Sequence, residues 1–483
     1  MMRRFVPLLV ALPWLLAGCG GGGSSSQSTP PPPPPKPPPP LPQVTLSATS
    51  PFAANCDPVV ATGTLYMNAE VEPSAAVNPL NPSNLLAAWQ QDRWSNSGSH
   101  GLVTAASFDA GHNWTRSVPV VSRCAGGTTA NGADYARASD PWVAFAIDGT
   151  AYLLSLSFSD ATTSTNSSSA MLVVRSSDGG SHWNAPLTLI NDVGGAFNDK
   201  GAIGADAVDP HYVYATWDRL LPDGSGPTWF ARTSDGGASW EAATPIYDPG
   251  AGNQTLGNIP LSLPDGTLLV VFTEYDRVAA GSTAELRVIR SLDRGANWSP
   301  PVTIAVEHSA GVRDPNTGTV VRDGSGLPSI ARDASGTVYV AWQSSDFSGG
   351  ARDAIAIARS ADDGASWSMP VRASGDLAVA AFTPNVHVRG DGVIGVGYYD
   401  LRYNQPSTGI FQADYWLATS LDGMSWTDTH VSGPFPLDRA PNAEGLFVGD
   451  YEALTSSGNQ FLPVFVTSGN DPANATDVYV AFW

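Results

Sequence analysis

A two-strand pattern of apolar and polar residues recurs along most of the chain. Each copy is a short strand, a turn and then a more apolar strand, as in PWVAFAIDGTAYLLSLSFSD at 141–160. Apolar runs of this length, bounded by Gly, Pro, Asn and Asp, are typical of β-strands. No stretch shows the periodicity of a long amphipathic helix. The pattern therefore predicts an all-β fold, with copies at 73–92, 141–160, 202–218, 260–276, 328–346, 384–400 and, more loosely, 447–466.

A second repeat, the phrase Ser/Thr-x-Asp-x-Gly-x-x-Trp, alternates with these strand pairs. In a turn of this kind the Asp carboxylate accepts backbone N–H bonds, the Gly permits a positive φ, and the Trp covers the turn as an apolar plug. We therefore expect the phrase to join two strands and to have a structural role rather than a chemical one. It occurs at 107–114, 176–183, 233–240, 291–298 and 360–367, and in a form one residue shorter at 420–426.

The spacing of the two repeats predicts a β-propeller. A unit that recurs roughly every 60 residues indicates an array or a propeller. Seven strand pairs against six turn phrases favour seven four-stranded blades, with six blades as the alternative. The last copy ends at 477–483 without a turn phrase, so its fourth strand is missing from that end. Residues 43–49 (QVTLSAT) could supply that strand and close the ring, which removes exposed sheet edges.

The turn phrase resembles the Asp box, or BNR repeat, of sialidases and related propellers. The resemblance covers 43–483 as architecture and implies that the phrases lie on the face away from the active site. It also implies a glycoside hydrolase that removes terminal acidic sugars. Sialidases hold the substrate carboxylate with three Arg, and they use a Tyr nucleophile assisted by a Glu and an Asp acid/base. The segment 258–269 is similar to the Arg-Ile-Pro and Gly-Thr-Leu motif of that family, but Asn258 replaces the Arg.

The expected site lies opposite the turn phrases, where second strands end and first strands begin. Four second strands end in an Asp and an Arg, and several Arg converging on one cavity would bind a carboxylate. Asp, Glu and Tyr at the starts of the first strands could do acid–base or nucleophilic work. An Asp-Arg pair in homologous blades is equally well explained as a structural ion pair. The substrate-binding candidates are Arg93, Arg137, Arg219, Arg277 and Arg402, the catalytic candidates are Asp140, Tyr451 and Glu452, and Glu72, Asp199 and Lys200 lie at matching positions.

The N-terminal 42 residues predict export and anchoring. Arg3 and Arg4 precede an apolar run at 5–16, which is the pattern of a secretion signal and is too short to span a bilayer. The sequence Leu-Ala-Gly-Cys at 16–19 matches the bacterial lipobox, which implies cleavage before Cys19 and its lipidation. An ordinary cleaved signal is the alternative. Residues 20–42 are Gly/Ser-rich and then Pro-rich, and they read as a tether that holds the domain 43–483 off the membrane.

Composition narrows the possible partners. The net charge of −20 argues against nucleic acid. In an exported protein the remaining cysteines, Cys56 and Cys124, are expected to form a disulfide, with two unpaired thiols as the alternative. The sequence contains no zinc-protease motif, nucleophile elbow or P-loop. We therefore predict no metal and no cofactor. We also predict a monomer that is located in the cell envelope and faces the periplasm or the exterior. A glycan is the predicted partner.

Two further interpretations remain open. A non-catalytic propeller that binds glycans or protein partners at the cell surface is favoured by Asn258 and by the lack of a complete Arg triad. Hydrolysis of a neutral polysaccharide requires two carboxylates facing each other across a groove.

Overall fold

The computed structural model describes residues 36–57, 62–160, 164–278 and 281–483. The predicted signal, Cys19 and residues 20–35 of the predicted tether lie outside these residues. Residues Pro37–Trp483 form one compact unit. None of the helices in the described residues has the length and apolarity needed to cross a membrane.

The described residues form an all-β protein, as the repeat pattern predicted. Regular structure outside the strands is limited there to short 3-10 helices, at Arg123–Ala125, Thr129–Asn131, Asp346–Ser348, Pro406–Thr408 and Leu437–Arg439. The strands in chain order are β1 (Gln43–Thr45), β2 (Leu65–Asn78), β3 (Asn81–Trp94), β4 (Ser99–Ser107), β5 (Thr115–Ser117), β6 (Arg137–Phe145), β7 (Ala151–Ser159), β8 (Ser168–Ser176), β9 (Leu187–Val193), β10 (Phe197–Ala205), β11 (Val213–Leu220), β12 (Thr228–Thr233), β13 (Thr244–Tyr247), β14 (Gln254–Ser262), β15 (Leu268–Val278), β16 (Gly281–Ser291), β17 (Val302–Glu307), β18 (Ser329–Arg332), β19 (Val338–Ser344), β20 (Ala354–Ser360), β21 (Val371–Arg372), β22 (Ala381–Val388), β23 (Ile394–Asp400), β24 (Gln412–Ser420), β25 (Thr427–Pro436), β26 (Ala453–Ser457), β27 (Gln460–Asp471) and β28 (Asn474–Ala481).

Antiparallel pairing sorts these strands into sets of four consecutive strands. The sets are β2–β5, β6–β9, β10–β13, β14–β17, β18–β21 and β22–β25, and the strands β26–β28 are extended by β1. In that last set Gln43 lies opposite Ala481, at the position where the sequence lacked a fourth strand. Single bridges between Ser99 and Ala138 and between Ala69 and Thr476 link three sets into one twelve-stranded sheet.

The first strands of the sets lie next to one another. In chain order, β2 contacts β6, β6 contacts β10, and the contacts continue through β14, β18 and β22 to β26, which contacts β2 again. Apolar side chains fill the space between neighbouring sets; for example, Leu86 and Leu102 of one set share a buried cluster with Leu153 and Leu172 of the next. Removal of such surfaces from water is the main favourable contribution to folding.

The turn phrases have the geometry that their sequence predicted. In the copy at 176–183, the Ser176 hydroxyl donates to Asp178 Oδ1 at 2.7 Å and accepts the Gly180 N–H at 2.9 Å. Asp178 Oδ1 also accepts the His182 N–H at 3.0 Å. The indole N–H of Trp183 donates to Thr104 Oγ1 of the preceding set at 3.0 Å. This copy thus closes the turn between β8 and β9 and fastens its set to the preceding one.

Candidate active site

A bulge interrupts five of the first strands at matching positions. The register shifts in β2, β6, β10, β14 and β22. A β-bulge adds an unpaired residue that re-aims its side chain. At the bulges Glu72, Asp140 and Lys200 have φ values of 55°, 50° and 47°, in the left-handed region that non-glycine residues rarely occupy. The same device therefore presents a carboxylate, a carboxylate and an ammonium from three neighbouring strands.

Lys200 joins three carboxylates. Its Nζ lies 3.4 Å from Glu72 Oε1, 3.4 Å from Asp140 Oδ1 and 2.5 Å from Asp450 Oδ2. The side chain of Lys200 is 10% exposed, and those of Glu72 and Asp140 are 1% and 3% exposed. The second cation on Asp450 is Arg322, whose Nε donates to Oδ1 at 2.7 Å and whose Nη2 donates to Oδ2.

Two guanidinium groups complete this charged cluster. Arg93 and Arg322 both stack on the buried ring of Phe447, with Cζ at 4.8 Å and 4.6 Å from the ring centroid. Nη1 of Arg93 donates to Gln90 Oε1 at 2.7 Å, and the amide nitrogen of Gln90 donates to Glu72 Oε2. Nε of Arg93 is buried and has no hydrogen-bond partner among the described residues. A buried donor of this kind has unused capacity for an anionic acceptor.

The environment displaces the pKa values of the two bulge carboxyls in opposite directions. Burial, followed by the charges of Asp140 and Asp450, outweighs Lys200 and raises the pKa of Glu72 to about 8. Burial acts in the same direction on Asp140, but Lys200 and hydrogen bonds with Glu72 and Asp199 outweigh it and lower the pKa of Asp140. Near neutral pH, Glu72 is therefore protonated while Asp140 is ionised. Pairs displaced in this way provide an acid and a base in one site.

Two further carboxyls respond to the same charges. Burial and the neighbouring Asp140 raise the pKa of Asp199 to about 7. In contrast, Arg322 and Lys200 overcome the burial of Asp450 and hold its pKa well below the usual range. Asp450 is thus the permanently ionised partner of the two cations.

Tyr451 lies at the boundary between the charged cluster and open space. Its ring packs on Trp142 with centroids 5.3 Å apart, and its hydroxyl donates to the Pro141 carbonyl at 3.3 Å. Tyr451 lines a small cavity beside Lys200, and it also lines a larger cavity of about 630 Å³ that extends to the turn-phrase ends of the first strands. Burial and then Glu72 raise the pKa of Tyr451, so its hydroxyl stays protonated.

Asp140 and Tyr451 belong to the charged cluster, but the carboxyl of Glu452 does not. Glu452 Oε1 accepts the Tyr399 hydroxyl at 2.7 Å, next to the Val466 carbonyl, in a buried space between β23 and β27. Tyr451 and Glu452 precede β26, and the Glu452 carboxyl lies with Tyr399 rather than with Lys200. The glutamate carboxyl near Tyr451 is that of Glu72.

Of the five candidate arginines, only Arg93 joins the cluster. Arg137 donates to the loop at Asn96, with its Nη1 3.0 Å from Oδ1. Arg219 is paired with Asp192 at 2.6 Å. Asp192 lies on β9, the strand of its set that is furthest from β6. Arg402 binds Asp400 at 2.6 Å and Asp428 at 2.9 Å within its own set, and the Arg277 side chain is exposed. Two of the five, Arg219 and Arg402, therefore belong to local ion pairs, and the candidate arginines do not converge on one cavity.

Sequence reasoning missed Arg322, Asp450 and Phe447. Arg322 lies between β17 and β18, in a segment that belongs to no repeat, and Phe447 and Asp450 precede β26 at the start of the loosest copy of the strand pair. The two segments meet where Val321 bridges Leu446. The available signal for Asp450 was its position next to Tyr451, which the repeat had already singled out.

Comparison with known proteins shows the fold of this chain. No family model and no curated protein matches the sequence. Among solved structures, a polysaccharide lyase described as an ulvan lyase matches with a TM-score of 0.53 and 11% identity, over 86% of this chain and 95% of that chain. A Hadza microbial sialidase has a TM-score of 0.47 and 13% identity over 83% of this chain and 75% of its own. An α-L-arabinanase from Penicillium chrysogenum has a TM-score of 0.43 and 15% identity over 71% and 93%.

The similarity to the polysaccharide lyase, at a TM-score of 0.53, concerns the fold alone. The chain is an all-β protein whose structural neighbours include glycan-acting enzymes. At identities of 11–15% the likeness does not extend to the reaction. The chemistry has to be argued from the charged cluster itself.

Proposed function

We propose that the protein is an exported, surface-tethered, sialidase-like glycoside hydrolase that acts on terminal acidic sugars of glycans. The observation that carries this proposal is the relationship of Glu72 and Asp140. Both carboxyls lie 3.4 Å from one ammonium group, with pKa values displaced in opposite directions. Hydrolysis of a glycosidic bond requires a proton donor for the leaving oxygen and a partner that generates or replaces the attacking nucleophile.

The protonation states assign the two roles. Protonated Glu72 donates its proton to the glycosidic oxygen as the bond to the anomeric carbon breaks. Ionised Asp140 accepts a proton from the attacking hydroxyl, which is that of water or of Tyr451 at the wall of the site. After attack by water, the products are the free sugar and the shortened glycan, and the proton gained by Asp140 restores Glu72 through solvent. After attack by Tyr451, water cleaves the bond between the anomeric carbon and the tyrosine oxygen, gives a proton to Glu72, and Asp140 returns its proton to that oxygen. Such positioned proton transfers contribute roughly 10²- to 10⁴-fold to the rate.

The charge balance supports an acidic substrate. Near neutral pH the cations Arg93, Lys200 and Arg322 face the ionised carboxylates of Asp140 and Asp450, because Glu72 is protonated. The three cations outnumber these two carboxylates in a protein with a net charge of −20. The other carboxyls nearby are the exposed Glu444, 4.0 Å from Arg322, and Asp199, whose pKa is about 7. A carboxylate bound to the unpaired Nε of Arg93 would gain a charge-assisted hydrogen bond in a buried site.

A seven-bladed propeller accounts for how the cluster assembles. In this proposal each four-stranded set is a blade, β1 completes the last blade, and the cyclic contacts of the first strands form the wall of a central channel. The bulges of β2, β6 and β10 then project Glu72, Asp140 and Lys200 towards one axis. The pairing with β1 covers the outer edge of β28.

Surface tethering is proposed from the sequence at 1–42. Replacement of the lipobox cysteine in Cys19→Ser tests it by fractionation of cells and by metabolic labelling with a fatty acid. We expect the unchanged protein to be labelled and to sediment with membranes, and the variant to be unlabelled. Equal labelling of the two proteins would show that Cys19 is not the lipidated residue.

The proposed activity is tested with a fluorogenic sialoside and a neutral fluorogenic arabinofuranoside as its matched control. We expect release of fluorophore from the sialoside and little from the neutral glycoside. Turnover of the neutral substrate alone would support neutral polysaccharide hydrolysis. Glycan binding without turnover, by a protein with native circular dichroism, would support the non-catalytic alternative.

A further inference from the structure

A cluster of metal-binding side chains lies apart from the charged cluster. One ligand atom from each of Cys56, Cys124 and His100 lies within 4.8 Å of the other two. Cys56 and Cys124 form a disulfide in this structure, with Cα atoms 5.0 Å apart. His100 is 3% exposed and is enclosed by the rings of Phe52 and Trp94. Two sulfurs and an imidazole are a ligand set for a thiophilic cation.

The imidazole is oriented by a buried carboxylate. Nδ1 of His100 lies 3.0 Å from Oδ2 of Asp92, which leaves Nε2 as the nitrogen available for a ligand. Asp92 is itself fixed, because Oδ2 accepts the Ser50 hydroxyl at 2.7 Å and Oδ1 accepts the Asn68 N–H at 2.8 Å. Metal-ligating histidines commonly donate their other ring nitrogen to a carboxylate, which fixes the tautomer and raises ligand basicity.

The cysteine-bearing segments are held in place by contacts other than the disulfide. The Ser122 hydroxyl donates to the His100 carbonyl at 2.6 Å, and Ser122 caps the short helix that contains Cys124. Arg123, in the same helix, donates to Asp134 at 2.6 Å. On the other side, Phe52 lies close to His100, and the Cys56 N–H donates to the Ala53 carbonyl at 3.0 Å. The Ser122 hydroxyl and the Phe52 ring thus connect both cysteine-bearing segments to His100 without the disulfide.

We propose that Cys56, Cys124 and His100 form a redox-gated site for a thiophilic divalent cation of the Zn²⁺ type. An external dithiol transfers two electrons and two protons to the disulfide, which gives the two thiols and the oxidised reductant. Zn²⁺ then displaces one proton from each thiol and binds both sulfurs and Nε2, with water in the fourth position. Because a sulfur pair is either bonded or metal-bound, the disulfide and the loaded site are alternative states of one cluster.

The experiment uses the full chain with Co²⁺ as a spectroscopic probe for Zn²⁺. Tetrahedral Co²⁺ bound to thiolates gives sulfur-to-metal charge-transfer and d–d bands. We expect the protein reduced with a phosphine, which does not itself supply thiols, to bind one equivalent of Co²⁺, and added Zn²⁺ to abolish the bands. The oxidised protein should show no such bands.

Three variants separate this site from adventitious binding. The double variant Cys56→Ser/Cys124→Ser should lose the bands, and Asp92→Asn should bind roughly 10- to 100-fold more weakly. His182→Ala, which alters an exposed histidine in a turn phrase, is the matched control and should bind like the unchanged protein. The proposal is overturned if the reduced protein shows no thiolate bands, whether folded or unfolded by near-ultraviolet circular dichroism. Equal bands in the double variant would overturn it as well.

Discussion

The carboxyl group of Glu72 lies 3.4 Å from the ammonium group of Lys200, yet the pKa of Glu72 is raised to about 8. Burial raises this pKa most, and Lys200 does not offset burial because its charge is shared with two other carboxylates. Its nearest partner is Asp450 at 2.5 Å, and Asp140 lies as close to it as Glu72 does. A buried carboxyl beside two other carboxylates keeps its proton even when a cation is in reach. Lys200 therefore lies beside both the proton donor, Glu72, and the proton acceptor, Asp140.

Removing the charge of Lys200 should shift the pH dependence of activity. In Lys200→Met the pKa of Asp140 should rise, because burial and Asp450 are then no longer outweighed. Since Asp140 has to be ionised, we expect the acidic limb of kcat/KM to move to higher pH. Lys36→Met, which replaces the other lysine of the chain, is the control and should leave the profile unchanged. A uniform loss of rate without displacement of the limb would contradict the assigned role.

Arg93 and Arg402 should respond oppositely to the same substitution. Arg93→Met should raise KM for an acidic substrate about tenfold or more, because a hydrogen bond between charged groups contributes about 1.5–3 kcal/mol. Arg402→Met should leave KM unchanged but lower the free energy of unfolding by about 2 kcal/mol, since Asp400 and Asp428 lose their shared partner. Steady-state kinetics and chemical denaturation of both variants check this. A raised KM in Arg402→Met with an unchanged KM in Arg93→Met would instead indicate that Arg402 binds the substrate.

The turn phrases should affect stability and not catalysis. Ser176→Ala removes a hydroxyl that donates to Asp178 and accepts the N–H of Gly180. We expect a loss of about 1–2 kcal/mol in the free energy of unfolding with unchanged kcat/KM. Ser181→Ala, in the same turn, removes a single exposed hydrogen bond and should cost less. A change in kcat/KM in either variant would show that the turn-phrase face takes part in the reaction.

Glu307 should make stability depend on pH. Burial raises the pKa of Glu307 from its ordinary 4.5 to about 7. The folded protein therefore binds this proton more tightly than the unfolded chain does. Its contribution to stability is complete below about pH 4.5 and is lost as the pH rises through about 7. The melting temperature should therefore fall as the pH rises through about 7. We expect this fall to be smaller in Glu307→Gln and unchanged in Glu285→Gln, which alters a more exposed carboxyl. An unchanged slope in Glu307→Gln would contradict the raised pKa.

The repeat made the fold predictable because each turn phrase and strand pair carries its own local signal. Asp140, Tyr451, Glu72 and Lys200 could be selected because the repeat places them at the starts of first strands. The bulges that aim three of these side chains together leave no such signal, because Glu72 and Lys200 have left-handed conformations that their residue types do not indicate.

The remaining features depend on contacts between distant segments. The sequence suggests that Asp92 and Arg93 form one ion pair. In the structure their side chains point in opposite directions, so Asp92 contacts His100 and Arg93 stacks on Phe447. Arg322 reaches Asp450 across a sequence separation of 128 residues, from an insertion without a repeat. No local pattern encodes these relationships.

The most direct test of the central claim is the pH profile of sialoside hydrolysis by the unchanged protein, Glu72→Gln and Asp140→Asn. We expect kcat/KM of the unchanged protein to fall as the pH rises through about 8, where Glu72 loses its proton. Each variant should lose roughly 10²- to 10⁴-fold in kcat while remaining folded. Asp160→Asn, at an exposed rim position, should keep full activity. Turnover that persists in Glu72→Gln, with the same fall at high pH, would contradict the assignment of the proton donor and with it the proposed function of the cluster.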